Sequence, residues 1–138
     1  MKKRKLILNS QEEAITQIVE LVSGIPRETL RSKNRVSKVS IARSILGYML
    51  RREGSTSKRT GELVGRHHAS VLKYCLDHEN NLKYYDKYNA MFIEIEDEYI
   101  TGFRAAKIDL MEQQIDELQI AIKKLKARSL NKLKEQVK

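Results

Sequence analysis

Residues 56–76 read TSKRTGELVGRHHASVLKYCL. It holds two short helical patterns broken at Gly65. Ser57 carries a side chain suited to capping a first helix that runs to about Val64, and Gly65 accepts the left-handed backbone of a tight turn. Past the turn, Val71, Leu72, Cys75 and Leu76 predict the inward face of a second helix. That helix opens on polar and basic groups, from Arg66 through Ser70. Two short helices joined by a glycine turn form a helix-turn-helix pattern.

The residues before it predict more helix. Ser10 and Glu13 have capping-box spacing, and Ala14, Ile15, Ile18, Val19, Leu21 and Val22 supply an apolar face. Gly24 and Pro26 stop that helix, and Pro26 suits the start of a short one at residues 27–30. A polar loop at residues 31–38 carries Arg31, Lys33, Arg35 and Lys38. Val39, Ala42, Ile45, Leu46, Met49 and Leu50 then recur at three- and four-residue steps up to Gly54, with Arg43, Arg51 and Arg52 off the stripe. The single proline, Pro26, favours long helices throughout.

After the decisive stretch, Tyr84, Tyr85, Tyr88, Met91, Phe92 and Ile95 continue a helical pattern through the acidic residues 94–98. Gly102 predicts a kink or a break. Beyond it, Ile108, Met111, Ile115, Leu118, Ile122 and Leu125 form a heptad seam, after which Leu130, Leu133 and Val137 fall one residue late. Two readings of this seam stand side by side: self-association, or an amphipathic helix folded back on the domain.

Charge narrows the function. The 138 residues hold 27 Lys or Arg and 18 Asp or Glu, a net charge of +9, but the excess is uneven. Residues 1–74 carry +10, residues 77–117 carry −7 and residues 118–138 carry +6. The first block is the electrostatic candidate for a polyanion. The basic arm at residues 1–9 is either a solvated tail or a source of added phosphate contacts. The last block is a solvated helix face, a second nucleic-acid contact, or a dock for an acidic partner.

Other classes find little support. Apolar runs fall far short of the roughly 20 residues of a membrane span, and a single Cys75 fits a reducing compartment such as the cytoplasm. His68, Cys75 and His78 could share a helix face as metal ligands, but one helix rarely closes a site, so no metal and no cofactor are expected. No glycine-rich phosphate loop or nucleophile elbow appears, so neither catalysis nor a small-molecule substrate is expected. Tyr84, Tyr85, Tyr88 and Tyr99 suggest stacking on single strands, yet helical spacing and acidic neighbours favour a core role.

GELVGRHHASVLKYCL, residues 61–76, resembles the DNA-binding C-terminal domain of the bacterial replication initiator DnaA. VSIARSILGYML, residues 39–50, supplies the family's Ala-Arg pair at Ala42 and Arg43, and RSKNR, residues 31–35, supplies its basic loop. The resemblance covers about residues 10–90. It implies an all-α fold, with a DnaA C-terminal-like helix-turn-helix domain at residues 10–90 followed by a long amphipathic helical extension at residues 91–138.

The resemblance also implies double-stranded DNA as the partner. A recognition helix would lie in the major groove, with His67, His68 and Ala69 at base-reading positions and Ser70 at a phosphate. Arg66 precedes them, Lys73 follows, Arg35 takes the place of the family's minor-groove arginine, and Arg43 and Arg51 match contacting positions on the long helix. Two residues depart from the pattern, because the family's Asp is His67 and its first Thr is Ala69. A histidine can donate where a carboxylate only accepts, so the departure implies a target other than the initiator's own. Ser57 and Thr60 replace the usual Leu and Ile, which implies a looser first helix. Nothing resembles the initiator's ATPase module. The implied role is transcriptional regulation, with a phage or mobile element as one source of such a freestanding domain. The alternatives are an accessory factor at a replication origin and an adaptor acting through the C-terminal helix.

Overall fold

The computed structural model describes residues 6–136, and among these every regular element is helical. Most of the expected basic arm, residues 1–5, lies outside the described residues, as does Val137. The first helix, α1 (Ser10–Ser23), is capped by Asn9, whose side chain accepts from the Glu12 amide at 2.8 Å while Glu12 accepts from the Asn9 amide at 3.0 Å. The capping box therefore sits one residue before the predicted Ser10–Glu13 pair. Asn caps as well as Ser, and the shift leaves Glu13 to bond Arg27. Gly24, at φ 72°, ends α1 as predicted. In α1 only the Ile15 and Val19 part of the apolar stripe is buried deeply, and Leu21 is exposed.

A short helix, α2 (Arg27–Leu30), follows Pro26, and its Arg27 ties back to both Glu13 and Glu20 of α1. The next helix, α3 (Ser37–Arg52), is the centre of the fold, with Ala42, Ile45, Leu46, Met49 and Leu50 all but sealed from solvent. Around it pack α1, α2, α4 (Ser57–Val64), α5 (His68–Tyr84) and α6 (Asp86–Tyr99).

Two expectations about this core need correction. The inward face of α5 is Val71, Cys75 and His78, whereas Leu72 is 44% exposed and Leu76 80%. The four- and three-residue steps from 71 to 78 keep those positions on the side packed against α3, and positions 72 and 76 lie about 100° further round. A histidine hid this phase from the sequence. The His78 ring stacks on Tyr48 at 3.5 Å between centroids, and its Nδ1 lies 2.6 Å from the Tyr88 hydroxyl, so the buried imidazole has both a packing and a hydrogen-bond partner.

The second correction concerns the boundary. The backbone breaks at Tyr85, and α6 then carries Tyr88, Ile95 and Tyr99 into the core, where Arg52 meets Glu96 at 2.6 Å. The first compact unit therefore ends at Thr101, not at residue 90, and the second begins at Gly102. Gly102 sits in a π-helical turn, Ile100–Arg104, the irregularity its presence predicted. The second unit is α7 (Ala105–Gln136), 32 residues with none buried.

Candidate nucleic-acid interface

The turn between α4 and α5 is built by two glycines in close contact with backbone. Gly65 has φ +68°, and a Cβ there would stand 2.3 Å from the Arg31 carbonyl oxygen; one at Gly61 would stand 2.5 Å from that of Arg66. No side chain fits either place, so the Gly-x-x-x-Gly spacing is a steric requirement. The contact with Arg31 also fastens the turn to the loop between α2 and α3.

Arginines complete that fastening. Arg31 Nε donates to the Leu63 carbonyl at 2.9 Å, joining the loop to α4. Arg66 donates to the Gly65 carbonyl at 2.8 Å and to the Ser32 carbonyl at 2.9 Å. Arg43, only 3% exposed, donates to the carbonyls of Leu30, Ser32 and Asn34 at 2.6, 3.0 and 2.9 Å. Burial, with Arg66 nearby, draws its guanidinium below the ordinary arginine value. The resemblance places Arg43 at a DNA-contacting position; here its Nε and Nη2 donate to the loop's own carbonyls. An irregular loop leaves backbone acceptors unpaired, and a buried guanidinium satisfies several at once.

The remaining predicted residues divide. Arg51 is half-buried, donates to the Ser55 carbonyl at 2.7 Å and faces the Cys75 thiol, which burial pushes up and Arg51 pulls down. His67 caps α5, its Nδ1 accepting from the Ala69 amide at 3.2 Å, which leaves Nε2–H as the ring's donor. His67 and His68 lie 4.0 Å apart between ring centroids. Arg35, His67, His68, Ala69 and Lys73 are exposed and Ser70 is partly so. Arg35 lines a groove with Ser40, Asn81 and Tyr85, toward the C-terminal end of α5. Helix α5 thus offers His68, Ala69 and Lys73 from its first turns and has Arg35 near its far end.

Electrostatics sharpen the picture. Five of the six carboxylates in residues 1–74 are held by structural arginines: Glu13 and Glu20 by Arg27, Glu53 by Arg52, and Glu12 and Glu62 by Arg59. The Arg59 hydrogen bond keeps the Glu12 carboxyl below its ordinary value. Among the described residues of the first 74, bases without an ion-pair partner then concentrate in the loop and the two-helix motif, where Lys33, Arg35, Lys38, Lys58 and Lys73 are exposed. The sequence offered Lys33 and Lys38 only as part of a basic loop and gave Lys58 no role. Their signal was the lack of a carboxylate partner, which only the fold reveals.

Thr60 is fully buried, and its hydroxyl has no partner among the described residues. Among the described residues no three His, Cys, Asp or Glu side chains stand together as metal ligands, and no helix is long and apolar enough to cross a membrane.

A glycine-locked pair of helices, packed on a basic loop and presenting its second helix's polar start, defines a helix-turn-helix domain of the DNA-binding class. Residues 12–77 match the family model described as bacterial dnaA protein helix-turn-helix, so this part of the chain is a DnaA C-terminal-like domain, followed by the long amphipathic helix α7. No curated protein and no solved structure matches the chain.

Proposed function

We propose that the protein binds double-stranded DNA sequence-specifically and regulates transcription without catalysing a reaction. The observation that carries this reading is the exposed start of α5 beside a basic loop, in a half of the chain where five of the six carboxylates are already paired with arginines. His68 and Ala69 read base edges in the major groove, Ser70 and Lys73 meet phosphates, and Arg35 enters the adjacent minor groove. Arg66 keeps three of its five donors after bonding the loop, enough for a phosphate or a guanine. Arg43 acts by holding the loop in place. Arg51 acts at the C-terminal end of α3, beside Ser55. A DNA partner and the single Cys75 favour cytoplasmic residence.

The match to an initiator's domain favours, as a second reading, an accessory role at a replication origin. The exposed seam Ile108, Met111, Ile115, Leu118, Ile122 and Leu125 serves self-association in either case. Selection of random duplexes by the full-length protein tests the proposal. A defined motif is expected, with Arg66→Ala and His68→Ala each costing about 1–3 kcal/mol of binding where a base contact is lost. A motif found in promoters supports regulation, one clustered at origins supports the second reading, and absence of duplex binding at low salt leaves only an adaptor acting through α7.

A further inference from the structure

Resting on the reading of α7 as a self-association surface, we propose that two copies pair through this helix in antiparallel orientation. The six seam residues are 50–63% exposed, and their stripe does not end at Leu125. Ile122, Leu125, Lys126, Ser129, Leu130 and Leu133 line one shallow groove on the helix surface, so the late phase of Leu130 and Leu133 bends the stripe without breaking it. An apolar stripe of this length on a helix with no buried residue lacks a partner within its own unit.

Charge selects the partner and its direction. Residues 105–117 carry Lys107 against Asp109, Glu112, Asp116 and Glu117, a net −3. Residues 123–136 carry six bases against Glu135, a net +5. Between them no residue is charged. A parallel pair would stack the acidic half on itself and the basic half on itself. An antiparallel pair, with its two-fold axis near residue 120, sets each acidic half against a basic half. Glu112 then flanks Lys126 of the second copy, and the helix macrodipoles also oppose favourably. A second copy of this chain is thus the occupant the helix complements. The basic C-terminal block finds its role as half of a self-complementary surface. At 1.5 Å per residue, the N-termini of the two α7 helices would stand about 45 Å apart.

The test uses full-length protein in a Cys75→Ser background. In the antiparallel register Met111 faces Ser129 of the second copy, whereas a parallel register brings each position against its own counterpart. Met111→Cys and Ser129→Cys are prepared separately, one with a mass tag, then mixed and mildly oxidised. The expected result is a mixed disulfide dimer between the two variants, with little self-linked product from either alone. Sedimentation should show a wild-type dimer that weakens as salt rises and becomes monomeric in Ile115→Lys. Efficient self-linking of each variant overturns the antiparallel orientation while leaving self-association in place. A wild-type chain that sediments as a monomer up to its solubility limit overturns self-association itself. Neither outcome touches DNA binding, which the duplex selection measures independently.

Discussion

The first compact unit and α7 use the same raw material differently. Both are helical with apolar residues at three- and four-residue steps, yet α3 buries nearly all of its stripe and α7 buries none. The contrast lies in what surrounds each stripe. Five helices pack on α3, and short connections marked by Gly24, Gly54 and Gly65 fold them over it. No chain segment returns over α7 within its own unit. Periodicity identifies a face, and connectivity decides whether the same chain can cover it.

The glycine lock of the first unit is its most sensitive point. Gly65→Ala should destabilise the first unit by about 3 kcal/mol, from left-handed strain plus collision with the Arg31 carbonyl. All six tyrosines lie in that unit, so tyrosine fluorescence during denaturant unfolding reports its stability alone. An unchanged midpoint would mean the turn does not need a glycine. Arg43→Ala follows, at about 2–3 kcal/mol, because three loop carbonyls lose a charged donor. If Arg43 instead served DNA directly, the variant would keep its stability and lose only duplex affinity.

Filling the polar defect works the other way. Thr60→Val should raise stability by about 1 kcal/mol, since it removes a buried hydroxyl without a partner at constant shape. A pH dependence comes next. Burial, with the Arg52 guanidinium nearby, holds the His78 imidazole below its ordinary value of 6.5. The unfolded chain therefore takes up a proton more readily than the folded one, and stability falls as pH drops below about 6.5. Tyr48, Tyr88, Phe92, Arg52, Glu79 and Glu96 set that environment. His78→Gln should flatten the melting temperature over this range, and an unaltered slope would assign it to other groups. The smallest effect belongs to α7, where Ile115→Lys should change the first unit's stability by less than about 0.5 kcal/mol.

Much of this was legible in the sequence, and the misses share a cause. Gly24 and Gly65 marked helix ends because few other residues adopt their backbone, and both sit at left-handed φ. Caps slipped by one residue at Asn9 and Thr56, because the adjacent Ser10 and Ser57 are equally capable and only packing chooses between them. Polar residues turned inward were the harder case. His78 was invisible as core, so the face of α5 was assigned to Leu72 and Leu76. Arg43 lies off the apolar stripe of α3 and matches a contacting position of the family, and that pattern carries no sign of its bonds to the carbonyls of an irregular loop. The break at Tyr85 carries no glycine or proline signal, and it is what returns α6 to the core and moves the boundary from residue 90 to Thr101.

A titration decides which of the two regions holds DNA. A short duplex carrying one copy of the selected motif is titrated with wild type, with Lys33→Ala/Arg35→Ala/Lys73→Ala, and with Lys124→Ala/Lys126→Ala/Lys132→Ala, across a range of salt concentrations. The first variant should lose most of its affinity, with a shallower salt slope of about one unit for each phosphate contact removed, while the second binds the single site as wild type does. Loss confined to the α7 variant would place the DNA on α7 instead.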